Sequence, residues 1–140
     1  MKPASLHTLS DKYAYQQVFS HHSYKSGNRY FLLLARAVQC LDHECMPVHS
    51  RVGIIVSRKN VRNASRRNLV KRIVRESFRQ KVNYPESLQH TRNHLQANTS
   101  EPVHQVFDCV FLARSAIHTL HKKKLADLLG QAWIKLMANI

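Results

Sequence analysis

Acidic side chains are scarce in this chain, which carries eight Asp and Glu against 22 Lys and Arg, a formal charge of +14 with histidine neutral. The acids are also scattered. Among Asp11, Asp42, Glu44, Glu76, Glu86, Glu101, Asp108 and Asp127, the only close pair is Asp42 with Glu44, in a region that reads as a loop. A protein that cuts phosphodiesters through two bound metal ions needs clustered carboxylates. That class is therefore disfavoured, and no catalytic residue is expected here. Cysteine is sparse as well: Cys40, Cys45 and Cys109 are an odd set, unsuited to a disulfide framework and suited to a reducing cytoplasm. There is no run of about 18 apolar residues, so no membrane span is expected. Met1 to His7 lack the apolar core of a secretory leader.

What is present is enough for a core. With 140 residues and 44% hydrophobic content, the chain is expected to form one domain over residues 1–140. Its charge excess is self-repulsive in the folded state, and a polyanionic partner is the usual reason to carry it. Nucleic acid is the first candidate and an anionic membrane surface the second.

Ser10 or Asp11 can cap a helix over residues 9–22 that places Tyr15, Val18, Phe19 and His22 on one face. Gly27-Asn28 marks a turn. Tyr30 to Val38 suits a strand buried on both faces, although periodicity alone leaves a helix open. Residues 39–50 read as a connection with room for a further short strand. Val52 to Ser57 is β-branched and strand-like. A basic segment then runs to about Val82 without proline or glycine. Residues 89–102 are polar and expected to be a flexible loop. Val103 to Ala113 returns to strand character, and Leu125, Leu128, Leu129, Ala132, Trp133, Leu136 and Met137 form one side of a closing amphipathic helix.

The positive charge is concentrated. Eleven of the 22 basic residues lie between Arg51 and Lys81, where Glu76 is the only acid. On a helix over 66–79, at about 100° per residue, Asn68, Lys71, Arg72, Arg75 and Arg79 share one side. Val70, Ile73, Val74, Ser77 and Phe78 take the other. Such a helix can pack on a sheet while projecting guanidinium forks, which bind phosphate bidentately, and an ammonium point charge. An asparagine among them adds a donor and an acceptor, as contacts to bases or 2′-hydroxyls require. A solvated charged face is the bland alternative. The absence of acids on that side favours a nucleic-acid contact.

These residues resemble a known signature. Arg51-Val52-Gly53-Ile54-Ile55-Val56-Ser57-Arg58-Lys59, a short loop, and Arg67-Asn68-Leu69-Val70-Lys71-Arg72-Ile73-Val74-Arg75-Glu76-Ser77-Phe78-Arg79 are similar to the central motif of the bacterial ribonuclease P protein family. An aromatic-bearing helix before the motif and Phe107-Asp108-Cys109-Val110-Phe111-Leu112-Ala113-Arg114 after it agree in order. Two positions depart from the pattern: Leu69 replaces an arginine, and Leu34 replaces an aromatic that some members place in a substrate cleft.

The resemblance implies an α/β (α+β) two-layer sandwich, with a mixed sheet of about four strands in the order α-β-β-β-α-β-α and a left-handed βαβ crossover. It also implies the non-catalytic protein subunit of an endoribonuclease, in which an RNA subunit removes the 5′ leader of precursor tRNA with Mg2+. The partners implied are that catalytic RNA and precursor tRNA. RNA-binding residues implied are Arg58, Lys59, Arg62, Arg66, Arg67, Asn68, Lys71, Arg72, Arg75 and Arg79. A cleft for the single-stranded leader is implied at Tyr15 and Phe19, residues whose helical spacing suits plain core packing equally well.

Other readings remain open at this stage. A ribosomal-type RNA-binding protein would share the charge and the helix, and a DNA-binding module would share the charge. A freestanding nuclease lacks its carboxylates. Cys40, His43, Cys45 and His49 offer four zinc donors, but their spacing fits no common pair pattern, and a polar loop with no metal is the preferred reading. His21, His22, His118 and His121 are expected at the surface, where nearby phosphate would favour their charged form.

Overall fold

The computed structural model describes residues 8–38, 50–83 and 106–139. Through them run α1 (Lys12–His21), β1 (Tyr24–Gly27), β2 (Phe31–Val38), β3 (Arg51–Ile55), α2 (Ala64–Phe78), β4 (Val106–Ala113) and α3 (Lys122–Asn139). One π-helical turn, Arg79–Asn83, extends α2, and a 3-10 turn, Ser115–Thr119, leads into α3. The order α-β-β-β-α-β-α is the one expected.

The strands form one mixed sheet in the order β1-β2-β4-β3. The two eight-residue strands pair antiparallel at its centre, from Phe31 opposite Ala113 to Val38 opposite Val106. Both faces of these strands are covered, which is why their sequences are continuously apolar rather than alternating. β3 pairs parallel to β4, with Arg51 opposite Asp108 and Ile55 opposite Leu112. Parallel neighbours cannot be joined by a tight turn, and α2 lies within their connection.

The larger core lies between one sheet face and the pair α2 and α3. Phe31, Leu33, Ala35, Phe107, Cys109 and Phe111 supply the sheet side, and Val70, Val74, Phe78, Leu129, Trp133 and Leu136 the helical side. Trp133 is fully buried. Its ring meets Phe78 edge-on at 5.2 Å, and its indole N–H donates to Ser77 Oγ at 3.1 Å. Helix α1 covers the opposite face, where Ala14 and Val18 pack with Leu9, Leu34 and Val110. The expected sandwich is thus present with a refinement: α1 adds a layer on the second face. Asp11 starts α1 by accepting from the Tyr13 amide at 3.1 Å.

One strand is not expected from the sequence: β1, immediately after α1. The further short strand expected near residues 40–50 falls on residues 39–49, which lie outside the described residues, as does the loop expected at 89–102. Strand β1 is a half-buried polar edge and carries no apolar run. Its order comes from pairing with β2, Tyr24 opposite Ala35 and Gly27 opposite Leu32. Asn28 closes the turn between them by accepting from the Tyr30 and Phe31 amides at 2.8 and 2.9 Å.

Gly53 is required by α1. A Cβ built there would lie 2.5 Å from the Tyr15 ring, so Tyr15 sits directly against the β3 backbone. Gly53→Ala should therefore destabilise the fold by about 1–3 kcal/mol, the usual range for overpacking. In a Tyr15→Ala background the loss should shrink, because the ring is gone. Urea unfolding of the four variants measures this coupling; equal losses in both backgrounds would contradict it.

Candidate nucleic-acid interface

Between β3 and α2 the chain turns sharply. The Ser57 carbonyl accepts from the amides of Asn60 and Val61 at 3.2 and 3.0 Å. Asn60 Nδ2 donates to the Ala113 carbonyl at 2.8 Å, tying the turn to the end of β4. Val61 is buried and anchors the segment, leaving Arg58, Lys59 and Arg62 exposed. Asn63 then caps α2, its side-chain oxygen accepting from the Arg66 amide at 3.1 Å.

Packing orients α2 as its periodicity predicts. Val70, Val74 and Phe78 are buried, while Asn68, Arg72, Arg75 and Arg79 are exposed and Lys71 is half-buried. Among the described residues, Arg58, Lys59, Arg62, Lys71, Arg72 and Arg75 take part in no ion pair. Arg79 differs from them. It bonds Glu76 at 2.6 Å, and this contact holds the Glu76 carboxyl below its ordinary range. The outward cationic face is therefore centred on the first three turns of α2 and the β3–α2 turn.

Two of the arginines named from the sequence are turned partly inward. Arg67 Nη1 donates to the carbonyls of Val61 and Arg62 at 2.9 and 2.8 Å, bracing the turn that presents Arg58 and Lys59. Arg66 Nη2 donates to the Leu120 carbonyl, linking the first turn of α2 to the segment entering α3. Both are half-buried. Leu69, the departure noted in the motif, is half-buried and lines an open pocket with Arg62 and Arg66.

The residues assigned to the leader cleft lie on α1, apart from α2, on the other sheet face. Tyr15 is half-buried over Gly53; burial raises its phenol pKa, and a hydrogen bond with the Ile54 backbone opposes that rise. Phe19 is 42% exposed, more than a core residue needs. Leu32, Ile55 and Leu112 are partly buried on this same sheet face and belong with Tyr15 to one apolar cluster. Leu34 is 4% exposed, covered by α1, so its replacement of an aromatic alters the core beneath the helix.

Several residues of this region escaped the sequence reading. Arg51 grips Asp108 bidentately at 2.9 and 2.8 Å, a cross-strand pair that raises the Arg51 pKa and occupies one of the few acids. Arg114, exposed at the end of β4, donates to the Asn28 carbonyl at 2.7 Å. Tyr13 is 65% exposed on α1. A strand-end arginine following an apolar run was the available signal for Arg114; register across the sheet, invisible in sequence, was needed for Arg51.

Among the described residues no group of three His, Cys, Asp or Glu side chains is placed to hold a metal ion. Cys40, His43, Cys45 and His49 lie outside them. Cys109 is fully buried, and burial drives its thiol pKa far upward, so it is an inert core residue. No helix among the described residues is long and apolar enough to cross a membrane.

The inward and outward arginines should respond differently to truncation. Arg67→Ala should lower stability by about 1 kcal/mol through its lost carbonyl contacts, whereas Arg72→Ala should stay within about 0.5 kcal/mol of the parent. Urea midpoints measure both, and equal effects would contradict the distinction.

Comparison with known proteins places this geometry in a family. Residues 4–137 match the family model described as Ribonuclease P. The ribonuclease P protein component of Chromohalobacter salexigens is 34% identical over 126 residues, covering 90% of this chain and 78% of the relative. That of a Marinomonas species is 36% identical over 122 residues, covering 87% and 73%. In structure, the Staphylococcus aureus ribonuclease P protein superposes with a TM-score of 0.61 over 95% of this chain and 96% of its own, at 20% identity. The Thermotoga maritima protein gives 0.51 over 89% and 96%, at 26% identity. With motif, fold and relatives in agreement, the chain belongs to the ribonuclease P protein family, the protein component of a tRNA-processing ribonucleoprotein.

Proposed function

We propose that this chain binds the catalytic RNA of ribonuclease P through α2 and the β3–α2 turn, and the single-stranded 5′ leader of precursor tRNA through α1 and the adjacent sheet face. The observation that carries the first half is the run of exposed cations, Arg62, Arg72 and Arg75, without acidic partners among the described residues. Neutralising RNA phosphates with such side chains releases counterions, the main source of affinity in this kind of contact. Asn68, exposed between them, can exchange hydrogen bonds with base edges or 2′-hydroxyls. Arg66 and Arg67 contribute chiefly by positioning the turn and the helix start.

For the leader, Phe19 and Tyr15 offer ring faces on which unpaired bases stack, while Arg58 and Lys59 follow the backbone. The chemistry is assigned to the RNA. Bound Mg2+ would polarise the scissile phosphate and activate water there, and the chain's own residues hold the two RNAs together in the cytoplasm. The cations here would also offset phosphate repulsion that Mg2+ otherwise screens, so the benefit of the protein should be largest when Mg2+ is low.

The test is cleavage of precursor tRNA by the cognate ribonuclease P RNA at low Mg2+. The protein should stimulate cleavage strongly and cut nothing alone. Arg72→Ala with Arg75→Ala should reduce the slope of log affinity against log salt by about 1.5, two phosphate contacts' worth. Phe19→Ala should weaken a leader oligonucleotide by about 1–3 kcal/mol with little change in stability. Cleavage by protein alone, or no stimulation of the RNA, would overturn the reading.

A further inference from the structure

A second cationic surface lies at the start of α3. His121, Lys122, Lys123 and Lys124 are consecutive and all exposed, and none takes part in an ion pair among the described residues. The first turn of α3 contains no acid. Lysines at a helix N-terminus oppose its partial positive charge, so the arrangement is unfavourable for the isolated protein. His121 relieves only the backbone, its Nδ1 accepting from the Lys123 amide at 3.2 Å. The three ammonium groups are left for solvent or for an external anion.

This cluster adjoins the proposed RNA face. Arg66 donates from the first turn of α2 to the Leu120 carbonyl, directly before His121. Between these elements lies an open pocket lined by Arg62, Asn63, Ser65, Arg66 and His118. The two helix starts are therefore neighbours, and both are cationic. At about 100° per residue, Lys122, Lys123 and Lys124 fan out around the helix end. Such a fan suits a ribose-phosphate backbone held by point charges rather than bases read by a planar fork.

We infer that the catalytic RNA's backbone continues past α2 and across the start of α3, where Lys122, Lys123 and Lys124 hold further phosphates beside His118 and the pocket. This extends the RNA-binding reading of α2 and rests on it. The partner is the folded RNA subunit rather than the leader, because Tyr15 and Phe19 lie on the opposite sheet face.

The test uses the full chain with all three lysines changed, Lys122→Gln, Lys123→Gln and Lys124→Gln, beside the parent and the Arg72→Ala/Arg75→Ala variant. Affinity for the ribonuclease P RNA is measured against salt, with a leader oligonucleotide as control. The triple variant should lose about two units of salt slope and about tenfold in affinity near physiological salt. Its leader binding should be unchanged, and its melting temperature equal to or above the parent's, since cations have left the helix N-terminus. Unchanged RNA affinity and slope, with the α2 variant impaired, would overturn the α3 assignment and leave the α2 reading standing. Loss of leader binding instead would make the substrate its partner and also overturn it. If neither variant changes RNA binding, the α2 reading itself fails.

Discussion

The parallel pairing of β3 with β4 is the constraint from which the rest of the molecule follows. Because the two strands run the same way, the chain must travel back along the sheet before β4 can form, and α2 lies in that return. Burying Val70, Val74 and Phe78 against Phe107 and Trp133 then fixes the rotation of α2 about its axis. Once that rotation is set, Asn68, Arg72 and Arg75 have no direction but outward. The cationic face is therefore held by the core. Ser77, which accepts from Trp133, shows how closely the buried and exposed stripes adjoin.

Charge of one sign on such a scale has to be managed, and the few acids are used sparingly. Asp108 is nearly buried and held by Arg51, which secures the β3–β4 register at its start. Glu76 is engaged by Arg79 and Gln80 near the end of α2. Neither lies where it would neutralise the first turns of that helix. Backbone carbonyls take over part of the work instead: those of Val61, Arg62 and Leu120 accept from Arg67 and Arg66. Arginine is suited to this double role, since its donors can satisfy a protein carbonyl on one side while its charge persists on the other.

Much of this is legible in the sequence. Long apolar runs identified the two central strands, and a 3.6-residue period separated the two sides of α2 and α3 correctly. Strand β1 was missed because a polar edge strand carries no hydrophobic pattern; it exists through its hydrogen bonds to β2. The inward turn of Arg66 and Arg67 was also hidden. A helical wheel assigns a face but says nothing of carbonyls brought up by a neighbouring turn. Gly53 was read only as part of a motif, yet its role comes from a ring on a different element, Tyr15. The family resemblance reached the fold class where composition could not, while the division of helices between the two faces needed the structure.

The central claim is that α2, rotated by its core packing, faces the catalytic RNA. A photocrosslinking side chain placed at Arg72, and separately at Ala138, exposed at the far end of α3 from the lysine cluster, tests it directly in the assembled ribonucleoprotein. Crosslinks to the ribonuclease P RNA from position 72 and none from position 138 are the expected result. Crosslinks from 138 alone, or none from 72 in a complex that cleaves precursor tRNA, would contradict it.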